Sequence, residues 1–187
     1  VTTPSLGEQL QTYVGREAEP PRVARYPVSA AMIRNWAEAH EDYNPIYLDA
    51  DAATQTGRDG IVCPPAMIST WVMSGLKRYR DVQAMRARGE TEQFAYSELM
   101  NVLDRAGFTS VVATNIEQTY HRELRPGEHV TADFTIESVS GPKTTALGDG
   151  HFITLYKQYR VGDGDVVAEE RFRLLRFRPA APETTAS

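Results

Sequence analysis

Six consecutive residues, Asp42-Tyr43-Asn44-Pro45-Ile46-Tyr47, put a carboxylate and a phenol five positions apart. A carboxylate in reach of a substrate can accept a proton, and a phenol can donate one. Tyrosine ordinarily titrates at about 10, so near neutrality Tyr47 is a poor base and reads as a donor or a pocket wall. Asp42 has a plainer reading too, as a turn aspartate bonding nearby backbone N–H groups. Four histidines could act near neutral pH. His40 should end a helix and His121, His129 and His151 fall in strand patterns, so each reads as a surface or packing residue rather than a base. The single cysteine, Cys63, lies in the apolar run Ile61-Val62-Cys63, where a thiol packs rather than reacts. One cysteine excludes an internal disulfide and a multi-cysteine zinc site, and no metal is expected. Gly148-Asp149-Gly150 sits inside a strand pattern and opens no helix, which argues against a phosphate loop.

The elements that must position these groups follow from periodicity and punctuation. Residues 1–21 are polar, end in Pro20-Pro21 and read as a loosely held lead-in. A short strand is predicted over Arg22 to Val28, then a helix capped by Ser29 and running through His40, with Met32, Ile33 and Trp36 on one face. After the Asp42–Pro45 turn comes a short helix from about Asp49 to Thr56. The most apolar stretch, Ile61 to Leu76, has Pro64-Pro65 at its front and predicts a buried central helix. Residues 78–107 are densely charged and read as one or two inserted surface helices. Four strands should follow, over Val111–Tyr120, Val130–Val139, Thr144–Tyr159 and Val166–Phe177. Turns at Arg125-Pro126-Gly127, Gly141-Pro142 and Gly162-Asp163-Gly164 separate them. Residues 179–187 are rich in Ala, Pro, Thr and Ser and read as a flexible tail or linker. The order of elements is α+β, an antiparallel sheet wrapped around a long central helix.

With 187 residues the chain suffices for one domain over 22–178. A net charge of -5 argues against a general nucleic-acid binder. No apolar run approaches the ~20 residues of a membrane span, and no secretory signal is visible, so no membrane association and a cytoplasmic location are expected.

The segment Asp42 to Tyr47 resembles the Asp-x-Asn-Pro-(aliphatic)-His signature of MaoC-like (R)-specific enoyl-CoA hydratases. Pro64-Pro65-Ala66-Met67 is similar to the N-terminal MaoC-like dehydratase subfamily. Val112-Ala113-Thr114-Asn115, Glu117 to His121 and Gly141 to Gly148 resemble a narrower group, the actinobacterial steroid side-chain hydratase subunits in which a MaoC-like domain precedes an OB-fold-containing domain. The resemblance covers about residues 22–178 and implies a hot-dog fold. It also implies water addition across an α,β-unsaturated thioester, with coenzyme A as part of the substrate and no other cofactor. That reaction needs a base for water, a proton for the α-carbon and donors for charge on the thioester oxygen. In the family an Asp and a His five residues apart move the protons, an Asn helps place them, and N–H groups at the front of the central helix bind the oxyanion.

Asp42 and Asn44 match that pattern, but Tyr47 stands at the histidine position. Pro65-Ala66 stands where many catalytic relatives carry His-Gly, and proline has no N–H, so a donor must come from Ala66, Met67 or a neighbouring subunit. Asp42 is therefore the candidate catalytic group, and Asn44, Tyr47, Pro65, Ala66 and Met67 are candidate substrate contacts. Small residues Ala66, Ser69, Ser74 and Gly75 could leave room for a bulky acyl group. The resemblance implies a non-catalytic, pocket-forming subunit paired with a MaoC-like subunit of intact Asp and His, acting on a steroid-CoA ester of cholesterol catabolism. An OB-fold-containing domain and a thiolase/aldolase-like partner would lie beyond the C-terminus. Three alternatives stay open: a self-sufficient homodimeric hydratase using Asp42 and Tyr47, a hot-dog thioesterase using Asp42, Glu117 or Glu123, and a binding module without catalysis.

Overall fold

A computed structural model describes residues 4–179. Strands β1 (Glu17–Val23), β2 (Ser110–Tyr120), β3 (Val130–Val139), β5 (Gly148–Val161) and β6 (Asp165–Pro179) form one antiparallel sheet in the order β1-β3-β5-β6-β2. The short β4 (Lys143–Thr145) pairs with the start of β5. Helices α1 (Leu6–Gln11), α2 (Ala30–His40), α3 (Pro45–Leu48), α4 (Ala50–Gln55), α5 (Gly75–Ala87) and α6 (Ala95–Arg105) occupy the connections, with a 3₁₀ segment at Pro65–Val72. No helix among the described residues is long and apolar enough to cross a membrane.

Alternation along the strands sorts residues to one face. Val130, Ala132, Phe134 and Ile136 of β3 meet Ile153, Leu155, Tyr159 and Val161 of β5 and Ala168 and Leu174 of β6 in one core. Gly150 lets β5 and β6 close on each other. A Cβ there would stand 2.4 Å from the Arg176 carbonyl oxygen, which accounts for the glycine without any phosphate role.

The N-terminal expectation is corrected. Residues 4–21 are part of the fold: Leu10 is buried, Ile136 donates its N–H to the Arg16 carbonyl at 3.0 Å, and β1 starts at Glu17, not Arg22. Pro20-Pro21 hid the strand, and they are tolerated because β1 is an edge strand with irregular register. The predicted tail lies outside the described residues from 180 onward, and Pro179 still belongs to β6.

The buried helix also sits elsewhere than expected. The apolar stretch Ile61–Leu76 forms only the 3₁₀ turns of Pro65–Val72, which bury Met67, Ile68, Trp71 and Val72. Met73 then goes extended and Gly75 adopts φ 71°, so the helix cannot run through, and Leu76 is 61% exposed. Within the expected surface insertion, α5 buries nothing, but α6 buries Ala95, Leu99, Val102 and Leu103. Their spacing is one helical face, and α6 packs against β1 while the 3₁₀ segment packs against β3. The buried Arg176 fixes the far end of α6, pairing with Asp104 and donating to the Phe108 carbonyl at 3.1 Å. The sheet therefore wraps two short helical segments rather than one long one. Leu103→Ala should cost about 2–5 kcal/mol, whereas Leu76→Ala should stay within about 0.5 kcal/mol, measured by urea unfolding of each variant.

Candidate functional site

The chain enters the site from α2, whose Ser29 side chain accepts from Met32 N–H as expected. Glu41 ends that helix in the left-handed region (φ 53°), and Asp42 N–H returns to the Ala37 carbonyl at 2.9 Å. Asp42 Oδ1 accepts from Asn44 N–H at 3.3 Å, and Asn44 Oδ1 accepts from Ile46 N–H at 3.3 Å. Both side chains thus cap the turn that starts α3, and Pro45 occupies its first position. Local capping explains Asp42 and Asn44 without any ligand.

One turn on, the half-buried Tyr47 ring packs against the core. Burial raises its pKa above the ordinary value, the carboxylates of Asp42 and Glu123 raise it further, and Arg58 opposes them. Raised further from neutrality, the phenol stays protonated and does not serve as a base. Arg58 and Glu123 form a two-pronged pair at 2.8 and 2.6 Å beside it. Neither the sequence spacing nor the motif pointed to that pair, which joins residues 65 positions apart.

Two backbone bonds bring the front of the 3₁₀ segment to the same place. Val62 N–H reaches the Ile46 carbonyl at 3.2 Å, and Cys63 N–H reaches the Leu124 carbonyl at 2.8 Å. Pro65 has no N–H to offer. Met67, one of the expected contacts, is 1% exposed, and its N–H is bound to the Pro64 carbonyl at 3.0 Å. Ala66 is exposed, and its N–H meets no backbone carbonyl among the described residues. Of the expected donors, Ala66 alone is free.

The histidines supply no base here. His40 stacks on Trp36 at 3.9 Å, His151 is buried with Nδ1 at 2.8 Å from the Ser140 carbonyl, and His121 faces Glu169. His121 and His129 flank strands rather than lying within them. Among the described residues none of the four hydrogen-bonds to Asp42, Asn44 or Tyr47.

Open space lies elsewhere on the chain. A cleft of about 630 Å³ runs between β1, α5 and the end of the 3₁₀ segment, with Arg25, Met73, Ser74 and Lys77 in its wall. A second, of about 400 Å³, separates α5 from α6, and a third, of about 180 Å³, lies between Tyr96 of α6 and the sheet. All three share Glu19 and Arg22, and none is lined by Asp42, Asn44 or Tyr47. Of the small residues expected to make room, Ser74 lines the first cleft, whereas Ala66, Ser69 and Gly75 face solvent.

The sheet's inner face carries one group that sequence reading missed. Glu170, 2% exposed, accepts from Gln118 Nε2 at 2.7 Å and Tyr159 O–H at 3.1 Å and pairs with Lys157. Tyr120 O–H donates to Gln118 in turn. Period-two alternation puts Glu170 in phase with Ala168, Phe172 and Leu174, which was the available signal.

Comparison with known proteins agrees with this architecture. Residues 12–170 match the family described as FAS1-like, dehydratase domain region, and the chain belongs to that family. A probable enoyl-CoA hydratase alpha subunit of Thermomonospora curvata is 46% identical over 178 residues, covering 95% of this chain and 54% of the relative. The 3-oxo-4,17-pregnadiene-20-carboxyl-CoA hydratase alpha subunit of Mycobacterium tuberculosis is 48% identical over 160 residues, covering 86% of this chain and 48% of the relative. A chain in the crystal structure of the ChsH1-ChsH2 complex from Mycobacterium tuberculosis superimposes with a TM-score of 0.79 at 41% identity, covering 97% of this chain and 96% of that one. The α+β hot-dog fold is therefore the one the motif resemblance implied. This chain spans about half the length of the curated relatives it matches.

Cys63 is no nucleophile in this setting. Burial pushes its thiol from 9.0 up to about 11, against a Trp71 Nε1 bond at 3.3 Å that lowers it. At pH 8 alkylation by iodoacetamide should run about a hundredfold slower than for a free cysteine. Because the unfolded chain ionises first, this thiol's contribution to stability is constant below pH 9.0 and falls as pH rises toward 11. Rapid labelling of the native chain at pH 8 would contradict the burial.

Proposed function

We propose that this chain is the pocket-forming, non-catalytic subunit of a hetero-oligomeric enoyl-CoA hydratase acting on a steroid side-chain CoA ester, as in cholesterol catabolism. The observation that carries the reading is Tyr47 at the imidazole position, buried enough to keep its proton and with no histidine bonded nearby. In hydration a base removes a proton from water as its oxygen bonds the β-carbon, charge gathers on the thioester oxygen, and a proton reaches the α-carbon. At the motif this chain offers a protonated phenol and, among the described residues, a free N–H at Ala66, so in this reading the proton-moving Asp and His belong to a MaoC-like partner. Water addition calls for no redox cofactor, and coenzyme A enters with the substrate. The names of the two hydratase relatives and the fit to a chain of a two-component complex support the reading. The same reading includes an OB-fold-containing domain and a thiolase/aldolase-like partner.

The free edge of the sheet supports a place for the partner. Strand β2 is eleven residues long, among the described residues bonds only β6, and leaves Val111 57% and Ile116 61% exposed. The opposite edge, β1, is blocked for strand addition by Pro20-Pro21 and its register shifts. A strand from the catalytic subunit would extend the sheet at β2 and bring its Asp and His toward Ala66 and Tyr47.

Two measurements test this. In the reconstituted complex, Asp42→Asn and Tyr47→Phe in this chain should each lower turnover by less than about tenfold. A loss of about a hundredfold or more, the scale of a missing acid or base, would favour the self-sufficient reading. Val111→Lys with Ile116→Lys should weaken the complex at least about tenfold by sedimentation while leaving the unfolding midpoint of the chain nearly unchanged, because both side chains already face solvent. Unchanged assembly would move the interface away from β2.

A further inference from the structure

Cross-strand pairing sets two parallel rows on the inner face of the sheet. One is apolar, Ile116–Phe172–Leu155–Ile136, and runs from the free edge toward the centre. Beside it runs Gln118–Glu170–Lys157–Phe134, which ends against Glu19 of β1. From β2 to β5 is two strand spacings, about 10 Å. Where the rows reach β5, the 180 Å³ cavity opens between Phe134, Leu155, Phe172 and Tyr96, with Lys157 in its wall.

Lys157 is an unusual lining for that cavity. Its ammonium has three N–H donors, and one pairs with Glu170. It otherwise lies over the rings of Phe172 at 5.3 Å and Phe134 at 6.0 Å, and meets no other oxygen among the described residues. Glu170 cannot swing away to free it, because Gln118 and Tyr159 hold the carboxylate as well. The cavity's other cation, Arg22, is paired with Glu19 at 2.5 Å. With Glu170 behind Lys157, each cation of the wall is paired, and an anion entering would approach the carboxylate partners of both. A neutral acceptor on an apolar body meets the spare donors without that penalty.

We infer that Lys157 is a specificity-determining residue: it donates a hydrogen bond to a ketone oxygen at the end of the acyl group remote from the thioester, and Glu170 is its positioning residue. This rests on the acyl-CoA reading above and deepens it. The ring body would lie along Ile116, Phe172 and Leu155, and the ketone would replace the missing oxygen partner of Lys157. The name of the Mycobacterium tuberculosis relative describes an acyl group of this kind, oxidised at one end and thioesterified at the other.

The test uses the complete hydratase complex and two enoyl-CoA esters that differ only in a ketone or a methylene at the remote ring position. The unaltered complex should prefer the ketone ester at least tenfold in kcat/KM, chiefly through KM. Lys157→Met should cut that preference at least tenfold. Since Lys157→Met strands a buried carboxylate, Lys157→Met with Glu170→Gln is measured beside it and should show the same loss of preference. Equal kcat/KM for the two esters in the unaltered complex overturns the role of Lys157 and leaves the hydratase reading standing, without need of any variant. A proportional loss on both esters in the variants likewise overturns it. A complex that hydrates neither ester overturns both readings.

Discussion

An eleven-residue strand, β2, that among the described residues bonds a neighbour on one side only is the constraint from which the rest follows. Unpaired N–H and C=O groups along β2 are exposed together with Val111 and Ile116, a combination that invites another strand. The cover of the inner face ends at the same place. Phe172 is packed against the core, yet its cross-strand partner Ile116 is exposed, so α6 and the 3₁₀ segment shield the sheet only as far as β6. An open edge next to an open inner face is a half-built cleft. Val62 ties the front of the 3₁₀ segment to the Asp42–Tyr47 turn, Cys63 ties it to Leu124, and Pro65 lies across a small gap from Tyr120 at the end of β2.

Charge inside the sheet obeys a different logic. Glu170 and Lys157 lie where an apolar pair would pack, and stranding either one would cost several kcal/mol. Gln118 and Tyr159 satisfy the carboxylate, so the network is tolerable, but a hydrophobic pair of similar volume would do as well for stability. What the charges add is a fixed donor facing an apolar cavity, and fixed donors in apolar surroundings orient ligands.

Much of the architecture was legible in local pattern. Ser29 announced α2, and β-branched runs marked β2, β3, β5 and β6, whereas the stretch at Asp42–Pro45 read as a turn and α3 was not expected. The errors came from tertiary context. Pro20-Pro21 argued against a strand because nothing local says that β1 lies at an edge. The hydrophobicity of Ile61–Leu76 outweighed its own helix breakers, and the charge of α5 masked the amphipathic face of α6, where Leu99 and Leu103 are one turn apart. At the site, the departure of Tyr47 from histidine was visible in the motif. The Arg58–Glu123 pair and the bonds that bind Cys63 to Leu124 were not, since each joins segments about sixty residues apart. Glu170 was readable in principle from strand phase, because Ala168, Phe172 and Leu174 mark the inner face on either side of it.

Under the proposed function, hydration requires a second subunit to supply an imidazole where this chain carries Tyr47. Loss of the conjugated-thioester absorbance of an enoyl-CoA ester, followed with the purified chain alone and then with an equimolar MaoC-like subunit bearing intact Asp and His, tests that directly. Turnover only in the mixture is the result expected. Comparable turnover by the isolated chain would contradict it.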